Sequence, residues 1–88
     1  MRLHFTSHAW EDYLHWQASD PARLRRLNEL IRDCMRQPFR GLGKPEPLKG
    51  DLAGWWSRRI DDEHRLVYRA AGSGEEQRLE IVACRLHY

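Results

Sequence analysis

The sequence is poor in the features that would declare a function outright. It has two cysteines, Cys34 and Cys84, with no CxxC pair. That count and spacing argue against a disulfide framework and against a cysteine-based zinc site, so both thiols read as reduced and buried. No run approaches the ~18 apolar residues of a membrane span. The opening MRLHFTSHAWEDY lacks the apolar region of a signal peptide, and a cytoplasmic protein is expected. Charge of one sign is also missing: fifteen Lys and Arg face thirteen Asp and Glu, a net of +2. A free nucleic-acid binder is far more basic, so any anion-binding role must come from local clustering. Neither GxSxG nor a phosphate-cradling P-loop occurs.

What is present fits one domain over residues 1–88. Four tryptophans can carry much of so small a core. RLHF at 2–5 is a short strand candidate. Ser7 then reads as an N-cap, and Trp10, Tyr13 and Leu14 as the apolar stripe of a helix running to about Ser19. Asp20-Pro21 restarts a helix, in which Leu24, Leu27, Ile31, Cys34 and Met35 keep helical spacing until Pro38. Arg25, Glu29 and Arg32 read as a salt-bridged solvent face of that helix. Residues 38–50 form a loop with three of the four prolines. Three β segments follow, near 52–60, 64–71 and 78–87, joined by DDE and GSGEEQ turns. The expected fold is α+β, β-α-α-β-β-β, with both helices on one face of an antiparallel sheet and the other face open.

Strand alternation sorts the open face. Arg65, Val67 and Arg69 share one side and Leu66, Tyr68 and Ala70 the other; the second set is more apolar and should meet the helices. Arg59 is assigned to the open side with Arg65. In the last segment Arg85 and His87 share a face, and Cys84 with Leu86 takes the core. No acid shares the arginines' parity in this reading, and such a face suits a phosphate. A solvated face of mixed charge fits the pattern equally well.

The loop supplies an acid. GKPEPLKG sets Glu46 between Pro45 and Pro47, flanked by Lys44 and Lys49, so the carboxylate is stiffly held. A carboxylate, an arginine face and a histidine are what in-line RNA cleavage needs. One group takes the 2′-OH proton, another protonates the leaving 5′-oxygen, and cations stabilise the phosphorane. RNA brings its own nucleophile, so neither metal nor cofactor is required. Asp61, Asp62 and Glu63 read as a turn, not a metal site. His4, His8 and His15 lack ligand spacing and read as surface or packing residues.

WEDYLHWQ, GKPEPLK, WWSRRI, EHRLVY and the terminal ACRLHY resemble the YoeB/Txe toxins of the RelE/ParE superfamily, in one frame from Met1 to Tyr88. The resemblance implies a microbial-RNase-like fold and the toxin component of a bacterial type II toxin–antitoxin system. It implies a ribosome-dependent mRNA endoribonuclease that inhibits translation, is neutralised by a YefM-like antitoxin, and forms a homodimer. By residue, it implies Glu46 as general base, His87 as general acid and Arg65 as the phosphate-stabilising arginine. Lys49 and Arg59 would be supporting cations, and Tyr88 would help the site engage RNA; Lys44 and Arg85 add charge nearby. Leu86 stands where an aromatic is common, and the GSGEEQ turn is longer than usual. Two other readings stay open. One is a ParE-like toxin that blocks a protein target without cutting RNA. The other is a non-catalytic RNA-binding module using Trp55 or Trp56 as a stacking platform.

Overall fold

The computed structural model describes residues 1–86. Thr6, one residue before the expected cap, starts helix α1 (Ser7–Ser19): its hydroxyl accepts the Ala9 amide at 3.1 Å. Asp20 serves two helices. Its amide donates to the Trp16 carbonyl and closes α1, while its Oδ1 accepts the Arg23 amide at 3.1 Å and opens α2 (Pro21–Arg36). One residue therefore joins the antiparallel helix pair, with Pro21 at the position where a missing N–H costs nothing.

The buried stripe of α1 is Ala9, Asp12 and Trp16, not the one the apolar spacing picked out. Trp10 is exposed and stacks on Tyr13, with ring centroids 5.5 Å apart and 6° between planes. Aromatic stacking at the surface had given the same periodicity as a core face. Helix α2 buries Leu27, Ile31 and Cys34 as expected, and Leu30 and Asp33 with them, while Leu24 and Met35 are only partly buried. On its solvent side the ion pair is Arg26–Glu29 at 3.7 Å, in place of the expected Arg25 and Arg32 pairings.

Five strands form one sheet: β1 (Arg2–Phe5), β2 (Glu46–Pro47), β3 (Trp56–Arg59), β4 (Arg65–Ala71) and β5 (Arg78–Ala83), in the order β1-β5-β4-β3-β2. The sheet is mixed, not wholly antiparallel, because β1 runs parallel to β5, pairing Arg2 with Arg78 through Phe5 with Ile81. A strand followed by two helices on one face returns with a crossover, the connection that parallel pairing requires. The second correction is β2: part of the proline loop pairs with β3 as a short edge strand. Pro47 is tolerated there because an edge strand leaves one side of its backbone unbonded.

Leu66 and Tyr68 of β4 and Leu79 and Ile81 of β5 meet α1 and α2, and all four are fully buried. The β4–β5 register then slips. Tyr68 pairs with Ile81 but Val67 with Ala83, so Val82 is an extra residue, a β-bulge. The bulge ends the alternation that placed Arg85 and Leu86. β5 stops at Ala83 instead of running to 87, and Leu86 is half exposed with φ +62°, not in the core. Before the bulge the parity is opposite to the one read from the sequence: Leu79 and Ile81 face the helices, and Glu80 sits opposite Arg69.

Candidate active site on the open sheet face

Residues paired directly across a sheet point to the same side, as do residues two apart on a strand. Glu46 pairs with Ser57, Ser57 with Val67, and Arg59 with Arg65. Glu46, Ser57, Arg59, Arg65 and Val67 thus share the face away from the helices. Arg59 and Arg65 are immediate cross-strand neighbours. Glu46 lies one strand beyond Arg59 and two residues along, an offset of roughly 7 Å by about 5 Å. The proline loop and the β3–β4 hairpin, distant in sequence, bring an acid and two cations to one patch.

The loop is held where it meets the sheet. The Arg59 amide donates to the Gly43 carbonyl at 2.6 Å, and the Leu48 amide to the Trp55 carbonyl at 2.9 Å. Lys44, two residues before Glu46, has φ +53°, a left-handed conformation uncommon for a side chain with Cβ. Lys44, Glu46 and Lys49 are all exposed.

Arg65 is half-buried and tethered. Its Nη1 donates to the Asp61 carbonyl at 2.7 Å and to the His64 carbonyl at 3.1 Å. Arg59 is exposed. Among the described residues no carboxylate forms an ion pair with Arg59, Arg65, Lys44 or Lys49. The face is not wholly without acid, contrary to the parity reading. Glu80 is bonded to both Arg69 at 2.5 Å and Arg78 at 2.6 Å, and those hydrogen bonds hold its carboxyl below the usual range. Arg69 also stacks over Trp55, 4.5 Å from the ring centre. Arg69 is thus engaged, whereas no described carboxylate pairs with Arg59 or Arg65.

The hairpin turn spends its first acid on itself. Asp61 Oδ1 accepts the Glu63 and His64 amides at 2.8 and 2.7 Å, and its Oδ2 accepts Arg23 Nε at 2.5 Å. Burial pushes its carboxyl up, but those bonds outweigh it and the net direction is down. Among the described residues no three His, Cys, Asp or Glu side chains gather as a metal-binding group.

Sequence reasoning missed Arg58, the residue that fixes the root of the loop. It is completely buried, and every guanidinium N–H direction is used. Nε donates to the Tyr68 hydroxyl, Nη1 to Asp33 Oδ2 and the Leu42 carbonyl, and Nη2 to the Gln37 and Arg40 carbonyls. The signal was there. Alternation in WWSRRI puts Arg58 on the core side with Trp56 and Ile60, and Asp33 sits in the apolar stripe of α2. Two buried opposite charges require each other.

Past β5 the backbone is held from α1. The Cys84 amide donates to the buried Asp12 carboxylate at 3.0 Å, and Trp16 Nε1 donates to the Cys84 carbonyl at 2.8 Å. Arg85 is exposed beyond the end of the strand. His87 and Tyr88 lie outside the described residues. A separate apolar groove of about 420 Å³, lined by Leu3, Phe5, Trp10, Tyr13, Ile31 and Met35, lies on the helix side and shares no residue with this patch.

Residues 5–88 match the family of YoeB-like toxins of bacterial type II toxin–antitoxin systems. The toxin YoeB of Streptomyces coelicolor is 59% identical over 88 residues, the whole of both chains. Among solved structures, a YoeB/ParE toxin from Agrobacterium tumefaciens superposes with a TM-score of 0.96 at 58% identity, covering all of both chains. A heterotetrameric YoeB–YefM toxin–antitoxin complex from Staphylococcus aureus gives 0.87 at 38% identity, covering 100% of this chain and 98% of that one. The YoeB dimer from the same organism gives 0.85 at 38% identity with the same coverage. No helix among the described residues is long and apolar enough to cross a membrane. On full-length sequence similarity and on fold, this chain belongs to the YoeB toxin family of bacterial type II toxin–antitoxin systems.

Proposed function

We propose that this toxin is a ribosome-dependent mRNA endoribonuclease. The observation that carries the reading is the shared face of Glu46, Arg59 and Arg65, an exposed acid beside two cations that no described carboxylate neutralises. Glu46 takes the proton of a ribose 2′-OH, and the oxygen attacks the adjacent phosphorus. Arg65, its fork steered by two carbonyls, stabilises the added charge on the phosphorane with Arg59 and Lys49. The bond from phosphorus to the 5′-oxygen breaks, His87 protonates the leaving oxygen, and the products are a 2′,3′-cyclic phosphate and a 5′-hydroxyl. Tyr88 helps the site engage RNA, and Lys44 and Arg85 attract the phosphate backbone. The chemistry calls on no metal.

A net charge of +2 gives little affinity for free RNA, so the ribosome supplies the substrate in position and the reaction belongs to the cytoplasm. The YoeB–YefM complex and the YoeB dimer from Staphylococcus aureus support a YefM-like antitoxin and a homodimer for this chain too.

Primer extension on an mRNA, with and without translating ribosomes, tests the reading on wild type and His87→Ala. The expected result is cuts with 5′-hydroxyl ends that need both ribosomes and His87. A folded, tag-free wild type that makes no cuts would replace this reading with a toxin that blocks a protein target.

A further inference from the structure

The backbone just before His87 is held more firmly than a chain end requires. After the two bonds that fix Cys84, two more fix Leu86. Its amide donates to Nδ1 of His64 at 2.7 Å, and its carbonyl accepts the Arg65 amide at 3.0 Å. Leu86 has φ +62°, a conformation that costs a residue with a branched side chain roughly 1–2 kcal/mol. Half exposed, its side chain gains little burial in return. Something other than packing of Leu86 selects this backbone.

His64 is built to make that bond. Its ring is buried, edge-on to Trp16 with centroids 4.7 Å apart and 81° between planes. Trp16 is itself buried, donates to the Cys84 carbonyl and carries the Arg23 guanidinium over its ring, 5.6 Å from the centroid. The His64 amide is fixed by Asp61, and Asp61 by Arg23. An amide can only donate, so Nδ1 must be the acceptor, and the neutral ring carries its proton on Nε2, 3.5 Å from Glu63 Oε1. Ring orientation and tautomer are thus both specified, which an imidazole serving only to fill volume would not need.

We propose that His64 is a positioning residue: its Nδ1 sets the backbone of Leu86, the residue that precedes His87 in the sequence. It acts beside Arg65, whose amide holds the other side of the same residue. One dipeptide, His64-Arg65, then carries the Arg65 fork and holds both backbone groups of Leu86. The catalytic consequence rests on the nuclease reading, in which a displacement of the acid by about 1 Å costs roughly 100-fold in rate. The latch itself does not rest on it.

The test compares His64→Leu, which keeps bulk and loses the acceptor, with His64→Asn, whose Oδ1 can accept near the position of Nδ1. Leu86 amide exchange is followed by NMR, and kcat and KM are measured on mRNA-programmed ribosomes. In His64→Leu, exchange at Leu86 should accelerate about tenfold, the worth of one hydrogen bond. The same variant should lose roughly 10- to 100-fold in kcat with KM nearly unchanged. His64→Asn should recover both the protection and most of kcat. Wild-type exchange and wild-type kcat in His64→Leu would overturn the proposal, as would an Asn variant as slow as Leu despite a protected Leu86 amide. Should His64→Leu fail to fold, the ¹⁵N spectrum of the wild type decides: a ring protonated at Nδ1 overturns the latch. A wild type that cuts no mRNA would overturn the nuclease reading alone, since Leu86 exchange and the ring tautomer still report on the latch.

Discussion

Arg58 Nη1 and Asp33 Oδ2 lie 2.6 Å apart, with 0% and 3% of their side chains exposed. This pair joins β3 to α2 beneath the loop that carries Glu46. Asp33 also accepts Arg36, Gln37 and the Leu42 amide, while Arg58 feeds three loop carbonyls. Removing either charge leaves the other buried and unanswered. Asp33→Ala should therefore cost about 3–5 kcal/mol in urea denaturation. The double replacement Asp33→Leu with Arg58→Met should not recover that loss, although simple buried ion pairs often do. The carbonyls of Gln37, Arg40 and Leu42 would still lack donors. A double variant as stable as wild type would show that the loop carbonyls find water instead.

The same pair gives an acid dependence with a definite sign. Hydrogen bonds from Arg36, the Leu42 amide, Arg58 and Gln37 hold the Asp33 carboxyl well below the usual carboxylate range, against the opposing effect of burial. A depressed folded-state value contributes stability above the unfolded value, about 4, and loses it as pH falls toward the folded one. Wild type should be more stable than Asp33→Asn at pH 7, and the gap should narrow steadily below about pH 4. Urea midpoints for both proteins between pH 7 and pH 2.5 measure this. A gap that stays constant into acid would mean that folding does not depress the Asp33 carboxyl.

The parts legible in the sequence were those set by local signals. Asp20-Pro21 gave the helix junction, the apolar spacing of α2 gave its buried stripe, and the DDE turn gave the β3–β4 hairpin that pairs Arg59 with Arg65. What failed depended on partners far along the chain. The parallel pairing of β1 with β5 has no local signature, and neither does β2, whose two residues become a strand only because Trp56 and Ser57 lie alongside. One extra residue at Val82 puts Leu79 and Ile81 out of step with buried Cys84, so alternation counted from Cys84 fails before the bulge, since the period of a strand is two. Arg58 was given no role because its compensating groups lie on α2 and in the loop.

Gly43 is where the loop touches both β3 and α2. Its φ is +79°, and a Cβ there would come within 2.8 Å of Leu30 Cδ2 and 3.0 Å of the Arg59 carbonyl. Gly43→Ala pays for the left-handed backbone and for the clash together, and lifting the loop from the sheet relieves the second. We expect a fall of several degrees in Tm, together with weakening of the bond from the Arg59 amide to the Gly43 carbonyl. The Arg59 amide resonance and its exchange rate read this directly. An unchanged Arg59 amide would mean the strain is absorbed in α2.

Both cysteines should be silent in the native protein. Burial pushes the thiol of Cys34 up to about 11 and that of Cys84 up to about 12, and neither side chain is accessible. Thiolate is the reactive form, so an aromatic disulfide reagent at pH 8 should label neither in the folded chain and both in urea. Reaction of one thiol at the rate of global unfolding would agree; rapid labelling of Cys84 would mean that the segment after β5 opens locally.

Glu46 separates chemistry from folding most cleanly. It is exposed, on a two-residue edge strand, and its side chain holds nothing else in place among the described residues. Glu46→Gln keeps size and hydrogen-bonding capacity while removing the carboxylate that the proposed mechanism uses as base. Stability should stay within about 0.5 kcal/mol of wild type, as for surface substitutions generally. On programmed ribosomes the cleavage rate should fall by roughly 10²–10⁴, the usual contribution of one proton-transfer group. Arg65→Lys should also slow cleavage, because a point charge loses the fork that the Asp61 and His64 carbonyls orient. Full activity in Glu46→Gln beside a dead Arg65→Lys would keep the phosphate site and move the base to another group. Full activity in both would leave the open face without a part in the reaction.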